Sequence, residues 1–279
     1  MPCIALVPND TSEYGVPRVF DEVMIMTDEE KYLFDLEGYL IVEGALGAHE
    51  LVALNDLVGQ KIDELDESDF QCYRFADVLG WQGPMLDLLD HALIAPRLRA
   101  LIGGEFRLDH VYLDVMRKGL SPIGAGLHGG GTPHNPSMFY HVQDGRMYNG
   151  LTVVAYNLHD VNPGDGGFGC VPGSHKANFP YPSEWKDMTE SRADCVRAVT
   201  GRAGTAVIFT EALTHGALPW TSDAERRTLF FKFNHPAMSW SNRYHDSSGY
   251  SGLTEEQIRI LAPPQDPSLM TVYGDKAKH

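Results

Sequence analysis

The spacing of apolar residues changes near residue 105. Before that point it is helical. From Ala48 onward, Leu51, Leu54, Leu57, Val58, Ile62 and Leu65 recur in steps that place them on one helix face, since side chains three and four residues apart stack along a 3.6-residue turn. Upstream, Thr27-Asp28-Glu29-Glu30 reads as a helix start, a capping hydroxyl followed by acids in the first turn. This helix should run to about Asp35 and break at Gly38, leaving Tyr39-Leu40-Ile41-Val42 as a strand. Residues 86–102 are predicted helical, interrupted near Pro96 and stopped by Gly103-Gly104. Residues 1–26 show no clear period and are expected to form an arm or lead-in strand.

After residue 105 the pattern is that of strands. Phe106 to Met116 alternates, and 151–158 (LTVVAYNL), 205–210 (TAVIFT) and 228–233 (TLFFKF) are β-branched or aromatic runs. Turn signals separate them at Asp144-Gly145, Asn162 to Gly167, Pro172-Gly173 and Gly201 to Gly204. Short strands joined by glycine-rich turns predict a sandwich or barrel. The chain is therefore expected to be α+β, mainly β. Helices in 27–104 would brace a jelly roll in 105–235, followed by an extension over 236–279, all within one domain spanning 1–279.

Composition narrows the function. Hydrophobic residues make up 43% of the 279, enough for a substantial core. A formal charge of -16 argues against nucleic acid or an anionic membrane surface as the main partner and leaves a small molecule, which a local basic pocket can still hold. No apolar run reaches transmembrane length and no secretory leader is visible. Cys3, Cys72, Cys170 and Cys195 lie far apart and suit neither a zinc ribbon nor a disulfide framework, so reduced thiols in a cytoplasmic protein are expected.

Two of the twelve histidines stand out by their surroundings. His128 precedes Gly129-Gly130-Gly131, which leaves its imidazole uncrowded. His215 follows the apolar run ending at Thr210, in a position suited to a rigidly held metal ligand. Arg226 opens the next apolar run, and a guanidinium there could grip a dicarboxylate through two parallel hydrogen bonds. A flexible turn around His128 and a surface arginine at 226 are the plainer alternatives. Tyr140, Tyr148, Tyr156 and Trp220 flank these positions and are expected either to line a pocket or to pack in the core. Zinc held by His128, His134 and His141 is disfavoured by their six- and seven-residue spacing. Ser174 lacks the G-x-S-x-G elbow of a serine hydrolase.

Taken together, these segments resemble the phytanoyl-CoA dioxygenase family. The resemblance rests on Gly38-Tyr39-Leu40 leading into a helix, on Gly166-Gly167-Phe168, on Pro172-Gly173-Ser174-His175-Lys176, and on His215 with Arg226 at the family's separation, and it covers about 28–235. It implies a double-stranded β-helix (jelly-roll, cupin-like) fold that uses Fe(II), 2-oxoglutarate and O2. His128 and His215 would then be iron ligands, Arg226 the 2-oxoglutarate anchor and His175 structural.

One position departs from the family. Its usual His-x-Asp motif supplies the carboxylate of a 2-His-1-carboxylate triad, and here Gly130 stands in the aspartate position. The iron- and 2-oxoglutarate-dependent halogenases share that vacancy and fill it with chloride. Glu211, four residues before His215, is the other source of a carboxylate, either as third ligand or as a hydrogen-bond partner of a ligand. Hydroxylation or a related oxidation, halogenation, and a non-catalytic binding protein all remain open at this level. An enzyme requires His128, His215 and Arg226 to converge on one cavity.

Overall fold

The computed structural model describes residues 26–66, 69–119 and 122–264, so the arm expected over 1–26 and Cys3 lie almost wholly outside it. Helix α1 (Asp28–Glu37) starts at the expected cap: Thr27 Oγ1 accepts from Glu30 N while the Glu30 carboxylate accepts from Thr27 N. Gly38, in the left-handed region at φ 83°, ends it and turns the chain into β1 (Tyr39–Val42). Helix α2 (Ala48–Asp63) buries Leu54, Val58 and Ile62, one residue per turn. After β2 (Cys72–Phe75) comes one difference from the expectation: residues 86–94 form turns, and only α3 (Ala95–Ile102) is helical, with Pro96 in its first turn. A proline ring clashes with the carbonyl four residues earlier, so Pro96 starts a helix and cannot interrupt one that runs through it.

The strands follow as β3 (Arg107–Met116), the hairpin β4 (Tyr140–Gln143) and β5 (Arg146–Asn149), then β6 (Thr152–Asn157), β7 (Gly167–Cys170), β8 (Arg197–Ala198), β9 (Ala206–Thr210), β10 (His215–Leu218) and β11 (Arg226–Asn234). Helix α4 (Glu255–Leu261) comes last. A six-stranded antiparallel sheet runs β1-β9-β6-β11-β3-β2, and a three-stranded one runs β10-β7-β8.

Strand alternation gives the large sheet two unlike faces. Leu113, Val115, Val154, Tyr156, Ile208, Leu229 and Phe231 join Phe34, Leu54, Val58, Leu98 and Leu101 in the main core, on the helix side. Val153, Ala155, Val207, Phe209 and Phe230 form a second core with Phe168 and Cys170 of the small sheet. A cavity opens beside this second core, lined in part by Phe168, Phe209 and Phe230. Among the described residues, Cys170 and Cys195 are free thiols. No helix among them is long and apolar enough to cross a membrane.

Candidate active site

Cross-strand register builds the cavity floor. On β11, Arg226, Thr228, Phe230 and Lys232 alternate onto one face, opposite Met116, Asp114, Tyr112 and His110 of β3. The walls come from the small sheet and its approach loops. Together they enclose a cavity of about 270 Å³ that reaches His128, His215, Glu211, Arg226 and Lys232. The three residues required to converge, His128, His215 and Arg226, therefore share one space.

The histidines are placed by backbone pairing. His128 N donates to His215 O at 2.8 Å and His215 N donates to His128 O at 2.9 Å, which brings the ring centroids to 4.3 Å. Both rings are oriented alike: His128 Nδ1 donates to Gly126 O at 3.0 Å, and His215 Nδ1 donates to Leu213 O at 2.7 Å. With the proton fixed on Nδ1, each Nε2 carries the lone pair, the state a metal-bound imidazole needs. Phe209 and Phe168 flank the His215 ring at centroid distances of 4.9 and 5.8 Å. Burial lowers the pKa of His215 to about 4, with Glu211 acting in the opposite direction, so the ring is neutral at neutral pH.

Glu211 leaves β9 in a turn and reaches the same space. Its Oε2 lies 3.8 Å from His215 Nε2, and its Oε1 accepts from Lys232 Nζ at 2.5 Å. Burial favours the neutral acid, but the Lys232 ammonium outweighs it and holds the carboxyl ionised, well below its ordinary value. Among the described residues no three His, Cys, Asp or Glu side chains form a ready-made metal cage. The available donors are two converging imidazoles with Glu211 beside them, ion-paired to Lys232.

The glycines after His128 serve close approach. A Cβ on Gly129 (φ 74°) would sit 2.6 Å from Leu213 O and 2.7 Å from Glu211 O. A Cβ on Gly130 (φ 104°) would meet Thr214 Oγ1 at 2.9 Å. The loop thus lies directly on the turn that carries Glu211 and His215. His175 stays out of the cavity, as expected. Its Nε2 donates to Asp35 O at 3.1 Å, its ring stacks edge-on against Tyr140, and Ser174 Oγ accepts from Thr214 N at 2.7 Å.

Arg226 is buried, and burial pulls its pKa down to about 10 against the pull of Asp114, so it remains charged. Its Nε has no hydrogen-bond partner, and Nη1 reaches only the weak acceptor Met116 Sδ at 3.5 Å. Asp114 is engaged elsewhere, by Arg74 through two bonds of 2.6 and 2.7 Å. A buried guanidinium facing a cavity with an unused donor is a seat for an anion. Arg227 points to the other face and pairs with Glu225 at 2.7 Å.

The pocket-lining expectation for Tyr140, Tyr156 and Trp220 needs correction. Tyr140 bonds Asp35, Tyr156 is fully buried on the helix side of the sheet, and Trp220 donates to Ala224 O at 2.7 Å in the interior. Tyr148 stacks on His141 in the hairpin, and His134 is exposed, so neither His134 nor His141 joins His128 at the cavity. The rings that do line it are Tyr112, Phe168, Phe209, Phe230 and Trp240. Beyond Tyr112, Arg74 and Trp240 lies an outer chamber of about 570 Å³, walled in part by Asp77, Tyr244 and Asp246. Lys232 also escaped the sequence reading, although a lysine inside the run TLFFKF is a signal in itself.

Comparison with known proteins gives a consistent picture. HygX from Streptomyces hygroscopicus, solved with nickel and 2-oxoglutarate bound, is 26% identical with a TM-score of 0.69, over 78% of this chain and 90% of that one. SnoN, described as a non-haem α-ketoglutarate-dependent epimerase from nogalamycin biosynthesis, shares the fold at 18% identity and a TM-score of 0.55, over 73% of this chain and 80% of its own. No curated protein sequence matches. The phytanoyl-CoA dioxygenase (PhyH) profile matches residues 34–228, more than half of the chain, and the protein belongs to that family.

Proposed function

We propose that this protein is a non-haem Fe(II)- and 2-oxoglutarate-dependent oxygenase that oxidises an unactivated C–H bond of a small molecule. The single domain is read as a double-stranded β-helix braced on its large sheet by the N-terminal helices. The observation that carries the reading is one cavity shared by a buried guanidinium with an unused donor and two imidazoles whose Nε2 atoms carry lone pairs. HygX, solved with iron bound and separately with nickel and 2-oxoglutarate bound, supports Fe(II) and 2-oxoglutarate here.

His128 and His215 would hold the metal through Nε2, with Glu211 as the carboxylate. Fe(II) held there would supply O2 activation, coupled to the oxidative decarboxylation of 2-oxoglutarate to succinate and CO2. Arg226 would grip the cosubstrate's far carboxylate, because that guanidinium keeps its charge without a protein anion of its own. Phe168, Phe209 and Phe230 supply an apolar wall to the inner cavity and would limit the water that reaches its charged groups. The substrate would enter through the outer chamber past Trp240 and Tyr112.

The halogenase alternative places chloride at the carboxylate position that Gly130 leaves vacant. The geometry favours Glu211 instead. The Glu211 carboxylate already stands beside the His215 ring, its Oε2 3.8 Å from Nε2. Anaerobic addition of Fe(II) and 2-oxoglutarate tests the assignment. The wild type should develop the charge-transfer band of a chelated complex, insensitive to chloride, and His215→Ala should not. No band in the wild type would overturn the reading, and a chloride-dependent band would transfer it to halogenation.

A further inference from the structure

We infer that Lys232 is the positioning residue for the metal-binding carboxylate: it holds Oε1 of Glu211 so that Oε2 alone is offered to the metal. The inference rests on the proposed role of Glu211 and follows from an asymmetry in that side chain. Oε1 is 2.5 Å from Lys232 Nζ, while Oε2 faces His215 Nε2 at 3.8 Å. Lys232 and Glu211 are both nearly inaccessible, with side-chain exposures of 13% and 5%, and neither has bulk water to solvate its charge.

The lysine is itself fixed from several sides. It lies on β11 opposite His110 of β3 and Val153 of β6, and its ammonium stands 5.4 Å from the Tyr112 ring centroid. Glu211, by contrast, sits in the turn after β9, where a long flexible side chain has several rotamers to choose from. The ammonium holds that carboxylate through a short charge-assisted contact. Held this way, the carboxylate presents one oxygen and cannot swing out to chelate through two, and a coordination position is left for the cosubstrate. The ammonium also adds a second cation to the lining that Arg226 shares, in a strongly acidic protein.

The test is Co(II) or Ni(II) binding by calorimetry on the full-length protein, with thermal unfolding measured alongside and no turnover required. Lys232→Met should weaken metal binding by about 10- to 100-fold, the usual effect of removing a residue that orients a ligand, and Lys232→Arg should recover most of it. A Lys232→Met protein that melts lower yet binds metal as tightly as wild type, or more tightly, would overturn the inference and leave a purely structural ion pair. Glu211→Gln separates this from failure of the underlying assignment. If that variant binds metal normally, Glu211 is not a ligand and both ideas fall. If it loses metal while Lys232→Met does not, only the positioning role is lost. Should Lys232→Met fail to fold, the comparison is made on Lys232→Arg and Lys232→Gln.

Discussion

Two adjacent arginines lead to opposite environments, and that contrast is the sharpest residue-level test of the site. Arg226 is buried with an unused donor, while Arg227 is satisfied by Glu225 and Asn55 on the other face. Arg226→Ala should weaken 2-oxoglutarate binding to the Ni(II)-loaded protein by ~1.5–3 kcal/mol, the scale of a charged hydrogen bond, and Arg227→Ala should leave it nearly unchanged. Equal losses in a calorimetric titration would mean that the wrong arginine faces the cosubstrate. A second pair of variants concerns the carboxylate. Glu211→Ala should lose metal. Gly130→Asp should destabilise the fold by roughly 1–2 kcal/mol through its positive φ, with further crowding of Thr214, and should not rescue metal binding in the Glu211→Ala background. Rescue would point to a carboxylate site at position 130. The residues legible in the sequence were those with a local signature: a glycine run after His128, a strand end before His215, a charge opening a strand at Arg226. Tyr156 takes the core alternative, because closeness in sequence does not set which face of a strand a residue occupies. It pairs with Leu229 on the helix-facing side, while its neighbour Ala155 pairs with Phe230 toward the cavity.

At the scale of elements, the PGSH segment ties three parts of the molecule together. Ser174 Oγ accepts from Thr214 N, and His175 reaches the last turns of α1 through Asp35 O. The tie anchors the residue immediately before His215. Ser174→Ala leaves a buried N–H unpaired, which should cost about 1–3 kcal/mol in urea unfolding, with a smaller loss of metal affinity because the backbone at 214 loosens. Unchanged stability would show that the turn holds itself. The helices and strands themselves were largely readable: capping at Thr27, the αL stop at Gly38 and the strand at 39–42 follow from local chemistry. What was not readable is which strands pair. The neighbours of β6 are β9 and β11, chosen by long-range packing that no local period encodes. Arg74 was invisible for the same reason, since it matters only because β2 lies beside β3 and brings it to Asp114.

For the whole molecule, acid is the informative perturbation. His175 is buried, and that burial lowers its pKa from 6.5 to about 4, with Lys176 adding to the effect and Asp35 opposing it. The unfolded chain therefore binds a proton that the folded one refuses between these values. Stability should fall as pH drops from about 6.5 to 4, by up to about 3 kcal/mol from this residue, and change no further from it below that. His175→Gln should flatten part of this dependence in pH-resolved unfolding, the buried His215 supplying another part. A slope identical to wild type would show that His175 is not the group responsible. Asp109, held at about 2 against its burial by His110 and the Trp240 N–H, would add its own loss only in stronger acid.

The two-faced sheet has a consequence for how such a protein can change. On β11 and β3, one set of alternate positions belongs to the folding core and the other to the cavity, so each strand carries two independent texts interleaved letter by letter. Tyr112 can be varied to reshape the chamber while Leu113, Leu229 and Phe231 keep their partners, whereas Phe209 and Phe230 also serve the second core and would shift stability with it. Insertions have no such freedom, because a single added residue exchanges the two texts along the rest of the strand. A combinatorial library for new substrates should therefore hold length constant and vary only the cavity-side letters that the second core does not share. Its surviving members should differ in what they accept far more than in how they melt.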